Sequence, residues 1–268
     1  MANAIEDVPG RDGAALRLAL KAALDGARAT LETGATGARQ KEDRSPVTEA
    51  DLAADRAIAA ALSVDPRPIV SEESDRARDR AEGEFWLVDP LDGTKEFIRG
   101  GDDYTTNVAL IRDGVPVLGV VAQPVTGEVY VGAAGHGAWY GRDGRMTPLA
   151  VRRPGDELTV VATRSHMNEA TRAFLDAHPC AKVESIGSSL KFCLVAAGRG
   201  DLYPRLGPIM PWDTAAGHAV VLGAGGTVVT VGGGPLRYDR GMVLHDDFVA
   251  CHPDLLPRLD LSLLNLRD

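Results

Sequence analysis

The feature that most constrains the fold is a change of rhythm near residue 150. Before it, short apolar runs at strand spacing are joined by turns. Thr105 to Ile111 and Val115 to Ala122 flank Asp113-Gly114, a dipeptide that tolerates the positive φ of a tight hairpin. Phe85 to Val88 precedes this meander, and Val129 to Val131 and the Gly-rich stretch around Trp139 continue it. From about Leu158 strands and helices alternate: strand Thr159 to Ala162, helix near Asn168 to Ala177, strand Val183 to Ile186, helix Ser188 to Ala197, strand Leu202 to Arg205. Antiparallel pairing followed by βα alternation predicts an α/β protein with an α+β N-terminal half and an α/β C-terminal half. The stretch Arg142 to Asp156, rich in Arg, Gly, Pro and Asp, marks the join, giving halves of 1–155 and 156–268.

Helices are also expected at both ends of this scheme. Gly13 to about Leu31 and about Thr48 to Leu62 are Ala-rich at helical spacing, and Asp213 to Leu222 is helical until Gly223 and Gly225-Gly226 end it, before the β-rich Thr227 to Val231. Ile69-Val70, after Pro66 and Pro68, reads as a short strand feeding the acidic loop Ser71-Glu72-Glu73.

Composition narrows what such a chain can bind. Its 268 residues, 44% of them hydrophobic, suffice for a sizeable core. A formal net charge of -9 argues against nonspecific nucleic-acid binding, which requires a basic surface. An anionic ligand must therefore meet locally placed cations or a metal. No apolar run reaches the roughly 18 residues of a membrane span, and no apolar signal region follows the start. The expectation is a cytoplasmic protein without a transmembrane segment, a peripheral place at the inner membrane being left open. Cys180, Cys193 and Cys251 are far apart, without the C-x-x-C spacing of zinc or redox sites.

The acidic residues cluster where strands end. Asp89 and Asp92 follow an apolar strand and are separated by Pro90 and Leu91, so both carboxylates can converge there while Leu91 offers its carbonyl. Paired hard oxygen ligands suit magnesium, and two such ions can activate water and neutralise a phosphoryl group. The alternative is an ordinary strand-ending turn, for which Asp, Pro and Gly are common. Thr48 with Asp51 is equally a capping box before an Ala-rich helix, and Asp213 equally an N-cap. Glu72 and Glu73 could be a solvated loop, and Asp102 and Asp103 are read as a surface pair. Thr94 is expected to open a short helix, with the amides of Gly93 and Thr94 directed at an anion.

A longer pattern separates these alternatives. The string Asp89-Pro90-Leu91-Asp92-Gly93-Thr94-Lys95-Glu96-Phe97 resembles the signature of the inositol-monophosphatase superfamily. Pro46-Val47-Thr48-Glu49-Ala50-Asp51, Ser71-Glu72-Glu73-Ser74 and Pro211-Trp212-Asp213-Thr214-Ala215-Ala216-Gly217 resemble its other blocks, in order. The resemblance implies a layered αβαβα sugar-phosphatase fold and magnesium, two or three ions per site. It implies that Glu72, Asp89 and the Leu91 carbonyl hold one ion, that Asp89, Asp92 and Asp213 hold a second, and that Glu73 serves a third, weaker one. Glu72 and Thr94 would then orient and deprotonate water, with Asp51 supporting Thr94 or a metal-bound water nearby.

Lys95-Glu96-Phe97 is more similar to the 3'(2'),5'-bisphosphate nucleotidase branch than to inositol monophosphatases. Arg164-Ser165-His166, Gly187-Ser188-Ser189-Leu190-Lys191-Phe192 and Asp201-Leu202-Tyr203-Pro204-Arg205 resemble its nucleotide-contacting segments. By that resemblance Gly93, Thr94, His166, Ser188, Lys191, Arg205 and Asp213 meet adenosine 3',5'-bisphosphate. Lithium sensitivity and a place in sulfur metabolism are implied as well. Lys191 could instead snorkel to solvent and Arg205 be a surface strand residue, while His166 by itself favours a structural role. An inositol monophosphatase and a noncatalytic nucleotide-binding regulator are the rival functions, and either a monomer or a homodimer is compatible with the sequence.

Overall fold

The computed structural model describes residues 8, 10–41, 45–74, 82–163, 169–178, 180–241 and 243–261. The chain opens with helix α1 (Gly10–Thr33), a two-stranded ribbon β1 (Arg39–Gln40) and β2 (Pro46–Val47), and helix α2 (Glu49–Leu62). Seven strands follow: β3 (Ile69–Ser71), β4 (Glu84–Asp92), β5 (Thr105–Arg112), β6 (Val115–Gln123), β7 (Glu128–Ala133), β8 (Gly137–Arg142) and β9 (Arg145–Leu149), with the short helix α3 (Thr94–Ile98) after β4. They pair in chain order, parallel between β3 and β4 and antiparallel thereafter. Asp113 and Gly114 have φ of 50° and 76°, the left-handed pair that the β5–β6 hairpin requires.

The second sheet contains β10 (Leu158–Thr163), β11 (Cys180–Ile186), β12 (Leu202–Arg205), β13 (Thr227–Thr230) and β14 (Phe248–Cys251), in the order β11-β10-β12-β14-β13. Helices α4 (Glu169–Asp176), α5 (Leu190–Ala196) and α6 (Pro211–Gly223) connect these strands, and a 3-10 turn spans Pro253–Arg258. Where helices intervene, β10 pairs in parallel with β11 and β12. β14 is antiparallel to both of its neighbours.

Side-chain alternation along β4 builds the layers. Trp86 and Val88 face α1, packing with Leu16, Ala19 and Ala23. Phe85 and Leu87 face the other way, into a core shared with Phe192 of α5, Val220 of α6, and Tyr203 and Phe248 of the second sheet. Each fully buried large apolar side chain contributes roughly 1.5–3 kcal/mol. The second sheet's outer face is covered by Phe174 of α4 and by Leu255. The result is helix pair, sheet, helix pair, sheet and helix, the expected αβαβα layering.

Two glycines let the middle helix layer reach the first sheet. A Cβ at Gly119 would lie 2.5 Å from the Ala216 carbonyl oxygen, and one at Gly132 would lie 2.4 Å from Val220 Cα. Strand β9 falls inside the stretch read as the join. Two of its five residues are half-buried and three exposed, so this edge strand has too little apolar alternation to be legible in the sequence.

Candidate active site

The end of β4 carries the acidic motif. Its ladder with β5 is irregular between Asp89 and Asp92, where Pro90 has no N–H to contribute, and the Pro90 carbonyl accepts instead from Thr106 Oγ1 at 3.0 Å. Asp89 is 1% exposed. Its Oδ1 accepts from the Leu91 amide at 3.0 Å, while its Oδ2 is buried without a hydrogen-bond partner among the described residues. Gly93, at φ 94°, turns the chain into α3, and a Cβ there would lie 2.9 Å from the Asp103 carbonyl oxygen. The Gly93 carbonyl accepts from the Phe97 amide, so the amides of Gly93 and Thr94 precede the first intrahelical bond.

Glu72, just beyond β3, and Asp213, in the first turn of α6, meet Asp89. One carboxylate oxygen from each of the three lies within 4.8 Å of the others. The parallel pairing of β3 with β4 brings Glu72 alongside, since its amide donates to the Val88 carbonyl at 3.1 Å. Asp213 is not an N-cap: it stands two residues beyond Pro211, and its Oδ2 accepts from the Met210 amide at 3.2 Å. Asp92 is not one of these three, and its Oδ2 accepts from the Ser189 amide at 2.6 Å.

Asp51 resolves the choice between cap and site by being placed for both. Its Oδ2 accepts from the Thr48 amide at 2.7 Å and from Thr48 Oγ1 at 2.5 Å, completing the capping box of α2. Its Oδ1 is 3.1 Å from Thr94 Oγ1, which is also 3.2 Å from the Leu91 carbonyl oxygen. The carboxylate that caps the start of α2 therefore also holds the hydroxyl that begins α3.

A cavity of about 450 Å³ opens beside these residues. Asp92, Gly93 and Asp213 form part of its wall, and Ser188, Lys191 and Arg205 another. Lys191 does not snorkel. It is 6% exposed, its Nζ donates to the Ser188 carbonyl at 2.5 Å, and it sits 5.6 Å from the centre of the Tyr203 ring. Arg205 donates to the Pro208 carbonyl at 2.6 Å, while among the described residues its Nε is buried without a hydrogen-bond partner, as are Ser188 Oγ and Tyr203 Oη. Ser188 has φ 45°, a left-handed conformation that is strained for a non-glycine residue. His166 lies outside the described residues.

The sequence model of the inositol monophosphatase family matches residues 12–260 of this chain. The chain belongs to that family. Among curated relatives it is 46% identical over 202 residues to the 3'(2'),5'-bisphosphate nucleotidase CysQ of Escherichia coli strain K12, covering 74% of this chain and 81% of that protein. It is 42% identical over 206 residues to the CysQ of Buchnera aphidicola, covering 74% and 76%. The crystal structure of CysQ from Bacteroides thetaiotaomicron superposes with a TM-score of 0.78 at 36% identity, covering 89% of this chain and 97% of that one. An inositol monophosphatase from Zymomonas mobilis superposes with a TM-score of 0.77 at 26% identity, covering 96% and 100%.

The inositol monophosphatase family is generally metal-dependent, and this site fits a hard divalent cation. An all-oxygen group with an unpaired buried carboxylate oxygen is costly without a cation. Burial, together with the nearby charges of Glu72, Asp92 and Asp213, holds Asp89 well above the usual carboxylate range. Burial also raises Asp213, with Asp92 and Glu72 adding to it, and pushes Asp92 up to about 6 against the pull of Lys191. Burial lowers Lys191 to about 8, with Arg205 adding to the shift and Asp92 opposing it.

Several residues of this family member were not marked by its sequence. Lys41 Nζ donates to Glu72 Oε1 at 2.7 Å and to Glu73 Oε1 at 2.6 Å. Burial raises Glu73 to about 7; burial opposes the charge on Lys41 too, but the two carboxylates outweigh it and hold its ammonium above the ordinary lysine range. Asp103, expected as a surface residue, is half-buried, and its Oδ2 accepts from the Gly187 amide at 3.1 Å. Asp102 does stay exposed, its main-chain carbonyl accepting from Gln123 Nε2. Ser189 Oγ lies 2.7 Å from Asn107 Oδ1 and 2.8 Å from Thr105 Oγ1, fastening the Ser188-Ser189 turn to β5. Lys95 and Arg99 of the α3 segment add exposed cations to the cavity wall. Gly187, Ser189, Lys95 and Glu73 lay inside segments already singled out in the sequence, but no local pattern gave their contacts, and Lys41 and Arg99 carried no signal.

Proposed function

We propose that this chain is a magnesium-dependent 3'(2'),5'-bisphosphate nucleotidase that hydrolyses adenosine 3',5'-bisphosphate to AMP and inorganic phosphate. The observation that carries the reading is the two-sided cavity. Asp92 and Asp213 lie in one part of its wall, and the buried Lys191 and the half-buried Arg205 in another. A substrate with two phosphates presents one to each part, whereas a monophosphate leaves the cationic part without a partner. The names and identities of the curated relatives support the same substrate class.

Glu72, Asp89 and the Leu91 carbonyl would hold one magnesium ion, and Asp89, Asp92 and Asp213 a second. Bound there, magnesium would supply positive charge to the phosphoryl oxygens and lower the pKa of water. The chain's own groups set the rest of the chemistry. Thr94 Oγ1 donates its proton to Asp51 Oδ1, which leaves its lone pairs to accept a hydrogen bond from the attacking water. Glu72 is the base that takes the water proton. The new P–O bond forms as the bond to the 3'-oxygen breaks in line, and that oxygen leaves with a proton from solvent, so no phosphoenzyme is formed. Ser188, Lys191 and Arg205 fix the 5'-phosphate and so orient the 3'-phosphate for attack.

The test is phosphate release from adenosine 3',5'-bisphosphate and from inositol 1-phosphate in parallel, with magnesium, with chelator and with added lithium. The expected result is a strong preference for the nucleotide, abolished by chelator and inhibited by lithium. Preference for the inositol ester would favour the rival reading, for which the superposition with the Zymomonas mobilis inositol monophosphatase speaks. Binding of the nucleotide without magnesium-dependent turnover would point to a regulator instead.

A further inference from the structure

The β1–β2 ribbon stands outside both large sheets, yet it is anchored beside the acidic group. Arg39 pairs with Glu49 at 2.7 Å, the Glu49 amide donates to the Thr36 carbonyl at 3.1 Å, and the Lys41 amide donates to the Ser45 carbonyl at 2.9 Å. These contacts fix the main chain of Lys41 near the first turn of α2. From there its ammonium reaches Glu72 and Glu73 at 2.7 Å and 2.6 Å. The three side chains are enclosed, with 21% exposure for Lys41, 22% for Glu72 and 5% for Glu73. Among the described residues no other Lys or Arg pairs with either glutamate.

Lys41 already bonds Oε1 of both glutamates, so a further divalent ion on those two oxygens would have to displace the ammonium or sit against its positive charge. The ammonium sits at hydrogen-bond distance, whereas magnesium binds oxygen at about 2.0–2.1 Å and needs that space itself. We propose that Lys41 is the resident counter-cation of Glu72 and Glu73 and takes the place a third divalent ion would otherwise fill. The substrate-free chain then holds two divalent ions, both bound through Asp89, and Glu73 is not a metal ligand at rest. This rests on the metal site proposed above and adds its stoichiometry.

Manganese serves as the probe, counted by equilibrium binding and electron paramagnetic resonance on the full, substrate-free chain. Wild type is expected to saturate at two ions. Lys41→Met is expected to take one more, at least about tenfold tighter than any additional ion on wild type, because a unit charge at ion-pair distance opposes a cation strongly even when screened. Adding Glu73→Gln to that variant is expected to remove the extra ion. Three ions of similar affinity on wild type would overturn the inference without recourse to any variant, whatever the stability of Lys41→Met. Unchanged or weaker binding by a folded Lys41→Met would overturn it as well. A wild type that binds no manganese would sink the metal reading and this inference together, a distinct signature.

Discussion

Thr94 and Asp51 show how one contact can serve two ends. Because Asp51 commits one oxygen to the cap of α2 and the other to Thr94, its loss should affect both stability and chemistry, whereas Thr94 is the cleaner probe. Thr94→Val is expected to lower kcat roughly 10²- to 10³-fold, since an oriented proton acceptor is worth that order. Its urea-unfolding free energy should stay within about 1 kcal/mol of wild type, the price of a single hydroxyl hydrogen bond. Equal losses in both measurements would mean that Thr94 is structural. Lys191 offers a second test, because it is buried against Tyr203 on the same cavity wall as Arg205, where the proposed function gives it the second phosphate. Lys191→Met is expected to raise KM for adenosine 3',5'-bisphosphate roughly ten- to hundredfold. Turnover of adenosine 3'-monophosphate, which lacks the second phosphate, should change little under the same assay.

At the scale of elements, helix α6 decides the geometry of the acidic group. It delivers Asp213, and it rests on Gly119 and Gly132 of the first sheet with no room for a side chain. Gly132→Ala is expected to destabilise the protein by roughly 1–3 kcal/mol through overpacking. It should also weaken magnesium binding measured by calorimetry, because the helix must move to clear a contact of 2.4 Å with Val220 Cα. A stability loss with unchanged magnesium affinity would show that Asp213 is held independently of the helix seat. The elements themselves were largely legible. The hairpin turn at Asp113-Gly114, the capping box at Thr48 and the end of β4 at Asp92 are written in neighbouring residues. Strand β9 was not legible, because an edge strand needs no apolar alternation.

At the scale of the whole molecule, a buried histidine ties stability to pH. His218 is 4% exposed, with its Nδ1 3.1 Å from Tyr238 Oη, and burial lowers its pKa to about 3, His245 adding to the shift. The folded chain leaves it neutral down to about pH 3, whereas the unfolded chain protonates it below about 6.5. Its contribution is therefore complete above pH 6.5 and is lost as pH falls, by up to about 1.4 kcal/mol per unit. Between pH 6.5 and 5, His218→Gln is expected to lose about 2 kcal/mol less unfolding free energy than wild type. Parallel curves for the two proteins would remove His218 from the acid response. Among the described residues no helix is long and apolar enough to cross a membrane.

The sequence by itself determined the order and kind of most elements, the turn chemistry and the identity of the acidic motif, because caps, hairpins and strand alternation depend on residues close together in the chain. Only the tertiary structure decided which of these residues meet. Lys41 reaches Glu72 across 31 positions, Gly187 meets Asp103 across 84, and Ser189 meets Asp92 across 97. Asp213 joins Asp89 only because α6 lies against the first sheet at two glycines. Such contacts depend on how the layers pack around a shared core, and no local pattern records that arrangement.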